Sequence, residues 1–237
     1  MKDFLLVNYS NVNLAVVFIA AITGLLVFNN YKHTAVKYFI YFLFYVLAAE
    51  VLGFYGWFLN YFDLFYLIEN TQIKFNFWWI TLTWYIGSAV FLVWYYRKVL
   101  QTDFLKLLLK YAVFLFLIIS LVTIAFNFSQ FFNGTYKIIR IGHMSLIMLS
   151  AIFYLYEMLR SNNVLKFHKD IHFYISAILL IWLFMTMPLV HFVCGNADTD
   201  PVQAELKWMI MLYAKMFMYL SFALALIALK PKNDSIN

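Results

Sequence analysis

Two ionisable side chains interrupt long apolar stretches of this sequence: Glu50 and Lys215. A charge held in hydrocarbon is costly, and such residues tend to pair, move protons or hold a ligand. An acid and a base at similar depth can act as an ion-pair latch between helices. Removing one partner would then leave a buried charge, at a cost of several kcal/mol. The same two groups can instead form a ligand or proton site, and the residues leave both readings open. Thr81, Thr83, His143 and His191 add hydroxyls and imidazoles to apolar stretches and complete the candidate site. Pro188 is the candidate hinge, because proline removes a backbone donor and bends its helix. The hydroxyl of Thr186, just before it, is placed to absorb the freed backbone group.

Other chemistries find less support. His143 and His191 are of the type that ligates haem iron from helices. Met185, Met187, Met209, Met211, Met216 and Met218, with His191 and Cys194, are of the type that binds copper(I). One histidine pair with nothing to fix its facing, and methionines at ordinary packing spacings, do not make a metal site, so no metal is expected. A single cysteine excludes an internal disulfide and any paired-cysteine metal motif. There is no Gly-rich phosphate loop, no Ser/His/Asp set and no His-Glu-x-x-His. The chain is therefore expected not to be an enzyme.

The elements that must position these residues are apolar runs at 12–28, 38–59, 77–96, 107–128, 138–159, 171–193 and 208–229. Crossing a bilayer takes roughly 20 mostly apolar residues per helix. Hydrophobic residues make up 65% of the chain and charged ones 12%, where a soluble domain has about 25% charged. An all-α membrane protein is predicted, a seven-transmembrane helix bundle with residues 1–237 as a single transmembrane domain. The first run lacks a small-residue cleavage site and reads as a retained helix. With helix two ending near Leu59, Glu50 lies roughly 13 Å below the boundary, at a rise of ~1.5 Å per residue. With helix seven starting near Trp208, Lys215 lies roughly 10 Å below the same boundary. Ala49, Gly53 and Gly56 are small residues of the kind that let membrane helices approach.

Net charge is +6. In a soluble protein that balance would suggest nucleic acid. Here the basic residues sit at helix ends and set topology, so no nucleic-acid partner is expected. Lys32, Lys37, Arg97, Lys98, Lys106, Lys110, Arg160, Lys166, Lys169, Lys230 and Lys232 fall on one side. Lys2, Lys74, Lys137, Arg140 and Lys207 fall on the other. The richer side should be cytoplasmic, giving an outside N-terminus and a cytoplasmic C-terminus. Trp57, Trp78, Trp79, Trp94 and Trp208 near helix ends read as interfacial anchors to the lipid bilayer.

Two resemblances extend this reading. One rests on Asn30-Tyr31-Lys32-His33-Thr34, Lys37-Tyr38-Phe39, the stretch from Tyr45 to Glu50, and Gly53-Phe54-Tyr55. Glu157-Met158-Leu159-Arg160-Ser161-Asn162-Asn163-Val164-Leu165 and Phe173-Tyr174-Ile175-Ser176 belong with them. Together they resemble an uncharacterised family of multi-pass membrane proteins from flavobacteria and other Bacteroidota, over residues 14–193. The resemblance implies a bacterial inner-membrane location and, because members are often encoded near sensor histidine kinases, a kinase partner. It matches Glu50 to a recurrent acid and matches nothing to Lys215. The second resemblance is to microbial rhodopsins, which bind retinal on a lysine midway along helix seven. Lys215, Trp182 and Pro188 are similar in kind, and Lys74, Trp78 and Thr81 echo the third helix. No acid lies near Trp78, however, and Met211 stands where an acid is usual, which leaves Glu50 as the one counter-charge for a Schiff base. The leading expectation is a sensory or accessory subunit of a signalling system with an outward-facing polar pocket. A retinal photoreceptor or pump and a transporter or proton-pathway component are the alternatives.

Overall fold

The computed structural model describes residues 8–160, 168–191 and 201–231, with side chains at all of these except 190, 191, 201 and 202. Among them there are helices and no strand. The long helices are α1 (Tyr9–Tyr31), α2 (Val36–Gly53), α5 (Phe77–Val99), α6 (Asp103–Phe126), α8 (Lys137–Arg160), α9 (Ile171–His191) and α10 (Pro201–Ala228). Short helices α3 (Tyr55–Tyr61), α4 (Tyr66–Glu69) and α7 (Phe128–Asn133) lie between them. The seven long helices are long and apolar enough to cross a membrane, and are compatible with a multi-pass membrane protein.

Two helix ends differ from the sequence expectation. The second helix stops at Gly53 rather than near Leu59. Glycine is a poor helix former, and here a distant side chain takes its carbonyl: Asn76 Nδ2 donates to Gly53 O at 3.2 Å. The Trp57 amide then bonds to Phe54 O instead. Glu50 therefore lies in the last turn of α2, ~5 Å from its end. The last helix starts at Pro201, not near Trp208, with proline at the first helical position, where its missing N–H does no harm. Lys215 lies ~18 Å beyond Gln203, where the apolar span of this helix begins. Pro188 sits inside α9, which continues to His191. Thr186 Oγ1 donates to Trp182 O at 2.9 Å, so it does not take the Phe184 carbonyl that Pro188 leaves without its helical donor.

The chain parts into two compact units, one formed by residues 1–43 and 154–237, the other by 44–153. In the first, α10 packs along both α1 and α9. Ala20, Ala21 and Gly24 give α1 a narrow face, and a Cβ at Gly24 would meet Ile40 Cγ2 at 3.1 Å. Phe39 and Phe222 meet edge to face at 4.8 Å, and the buried Tyr31 donates its hydroxyl to Leu226 O at 3.1 Å. In the second unit, α5 and α6 pack together, and α8 closes on α6 at Gly142. A Cβ there would lie 2.7 Å from the Phe116 ring, so only glycine allows this approach.

Candidate functional site

The most unusual local structure is in α5. Residues Thr81–Gly87 form a π-helical segment between α-helical turns. Such segments carry an extra residue per turn, are rare, and often mark functional sites. Two hydroxyls act on this segment. Thr83 Oγ1 donates to Trp79 O at 2.7 Å, and Ser88 Oγ donates to Trp84 O. Hydroxyls that bond to the carbonyl four residues back compete with the ladder and distort the helix. The Thr83 carbonyl accepts the backbone N–H of Ser88, five residues on, and also the Tyr45 hydroxyl at 2.7 Å. Both of its lone pairs are thus used. Gly87 makes room for that tyrosine, since a Cβ there would collide with the Tyr45 hydroxyl.

His143 on α8 completes the arrangement. It is 1% exposed, its Nε2 lies 2.9 Å from Ser88 Oγ, and the rings of Trp84 and Tyr85 pack at 6.2 and 5.7 Å. The Ser88 hydroxyl proton has two acceptors within reach, Trp84 O and His143 Nε2. If it goes to the carbonyl, His143 carries its proton on Nε2 and donates to the serine. If it goes to the imidazole, the proton of His143 is on Nδ1. Nδ1 has no partner among the described residues in either case. Thr81 Oγ1 and Ser120 Oγ are likewise buried without a partner among the described residues. An orphaned polar group in an apolar interior costs about 1–3 kcal/mol, so three in one unit form a reservoir of unfavourable energy.

The other predicted site residues fall in both units. Glu50, half-buried on α2, belongs to the 44–153 unit. The carbonyl of its neighbour Ala49 accepts Trp79 Nε1 at 2.8 Å. Lys215, half-buried on α10, belongs to the other unit, with its Nζ 6.0 Å from the centre of the Tyr9 ring, which packs edge to face on Trp208. The side chain of His191, and Cys194 as a whole, lie outside the described residues. Of the small residues expected on helix two, a Cβ at Gly53 would meet the Trp79 indole at 3.1 Å, whereas a Cβ at Gly56, which lies on α3, would meet nothing within 4 Å. No group of three or more His, Cys, Asp or Glu able to hold a metal occurs among the described residues.

The site thus gathers Thr81, Thr83 and His143 from the predicted set into one unit and adds Tyr45, Ser88 and Ser120. Their only signal in the sequence is a hydroxyl within an apolar run, shared by Ser150 and Ser176, which simply bond to their own helices at Leu146 O and His172 O. Comparison with family models, with curated proteins and with solved structures yields no match.

Proposed function

We propose that this chain is a non-enzymatic sensory or accessory subunit in a bacterial inner membrane, and that the π segment of α5 is its responsive element. One observation carries the reading. The Ser88 hydroxyl sits between the Trp84 carbonyl inside the π segment and the imidazole of His143 on another helix. A single proton and a small side-chain rotation exchange the two bonds. A π segment differs from an α-helix by one residue of register, so converting it would turn one half of α5 against the other. Two packings separated by a small energy are what a switch needs. The orphaned hydroxyls keep that energy small by weakening the resting state.

The excess of Lys and Arg in alternate connections supports an outside N-terminus and a cytoplasmic C-terminus. The Bacteroidota resemblance supports a histidine kinase as the partner, reached through the basic cytoplasmic connections. The test replaces the cell's own copy with His143→Phe and follows phosphoryl transfer through its membrane kinases. Output through one kinase should fall several-fold at unchanged abundance of the variant. Unchanged output through every kinase would overturn the proposal.

A further inference from the structure

The basic end of α5 carries a guanidinium with no acceptor among the described residues. Arg97 lies in the last turn of α5, half-buried, and its Nε is sealed without a partner. Its two terminal nitrogens also lack a partner among the described residues, but unlike Nε they reach the surface. The other two arginines of the chain are engaged: Arg160 donates to the Tyr156 hydroxyl at 2.9 Å, and Arg140 also has a partner. Asp103, the acid nearest to Arg97 in sequence, is taken by Lys106 at 3.0 Å. A cation in a last turn suits the helix dipole, yet Arg97 donates to no carbonyl there. A guanidinium cannot shed its proton, so its unmet donors call for an acceptor from outside the chain.

The neighbours of Arg97 narrow what that acceptor is. Trp94 and Lys98 are both exposed. Residues three and four apart share a helix face, so Trp94 lies on one face with both cations. Tryptophan favours the depth at which a bilayer changes from acyl chain to headgroup. Arg97 and Lys98 stand one turn, ~5 Å, further toward water, which is the level of lipid phosphates. We infer that Arg97 and Lys98 hold the phosphate of an anionic phospholipid. The terminal nitrogens of Arg97 fork two phosphate oxygens, and Lys98 adds a point charge. A free phosphate would leave the Trp94 indole bare, whereas a lipid covers it with its own chains. The site rests on the sensory reading for what the lipid would regulate. Arg97 lies ~15 Å beyond Gly87, the end of the π segment. A headgroup held there restrains the half of α5 that a change of register would turn.

The purified full chain in phosphatidylcholine vesicles is given increasing amounts of photoreactive phosphatidylglycerol or photoreactive phosphatidylcholine, and labelled peptides are mapped. The phosphatidylglycerol probe should label residues 94–102 saturably, and the phosphatidylcholine probe only in proportion to its amount. Arg97→Gln should weaken the saturable binding about tenfold, the worth of a charge-assisted hydrogen bond. Arg97→Lys should weaken it about threefold, because the charge stays and the fork is lost. Lys98→Gln should weaken it about fivefold, the worth of one cation near an anionic surface. If Arg97→Gln does not fold, Arg97→Lys and Lys98→Gln decide the matter. Excess inorganic phosphate should leave the labelling unchanged, and displacement by it would assign the site to a free anion and overturn the lipid reading. Linear labelling by both probes, or equal affinity of wild type and the three variants, would overturn it too. No kinase takes part in this measurement, so failure of lipid binding and failure of kinase coupling are separate results.

Discussion

The two compact units solve the same problem in different ways. Both must bury polar groups among apolar helices, where an unmet hydrogen bond has no water to turn to. In the unit of residues 1–43 and 154–237, Tyr31 reaches Leu226 O, Ser176 reaches His172 O and Thr186 reaches Trp182 O. The first of these bonds ties α1 to α10, and the other two stay within α9. In the 44–153 unit, Thr81, Ser120 and one nitrogen of His143 are left over, beside a π segment held by tyrosine and serine. What separates the units is helix geometry: the described long helices of the first are α-helical throughout, whereas α5 in the second carries the π segment. Residues that oppose the folded state locally are expected where function needs them.

Substitutions can sharpen or break that contrast. The largest effect is expected from Gly142→Val, which drives a branched side chain into Phe116 and should cost about 3 kcal/mol. Gly24→Ala, facing the more yielding Ile40 side chain, should stay near zero because better helix propensity offsets the crowding. Reversible unfolding in mixed micelles compares the two, and similar losses would mean that both units are equally tight. Gly87→Ala should come next. Expelling the Tyr45 hydroxyl strips one bond from the Thr83 carbonyl and crowds the π segment, at about 2 kcal/mol by the same assay. The smallest effects should differ in sign. Tyr31→Phe abandons Leu226 O and should lose about 1 kcal/mol, whereas Thr81→Val removes an orphaned hydroxyl and should gain about 1 kcal/mol. Losses in both variants would dissolve the distinction between the units.

The seven spans were legible because a run of about 20 apolar residues has few other uses. Their ends were less so. At the stop at Gly53 the glycine was visible, but the donor that takes its carbonyl, Asn76, is more than twenty residues away, and no local pattern announces it. The early start of α10 was hidden by Glu205 and Lys207, charges that read as a connection but belong to its first turns. Glu50 and Lys215 stood out by charge alone, yet charge says nothing about which unit a helix joins, and they fall in different ones. His143 was legible as an imidazole in an apolar run. Its partner Ser88 was not, because whether a helical hydroxyl serves its own helix, a neighbour or nothing is settled by rotamer and packing. The π segment left no trace either, since one extra residue in a turn hardly alters the apolar pattern over seven positions.

The proposed switch requires that the buried His143–Ser88 contact serve function and not stability. Equilibrium unfolding of His143→Phe tests this most directly, because phenylalanine preserves the bulk of the ring and removes its unmet nitrogen. Stability equal to wild type, or higher by about 1 kcal/mol, is the predicted result. A loss of about 2 kcal/mol or more would make the contact a structural clasp and contradict the account.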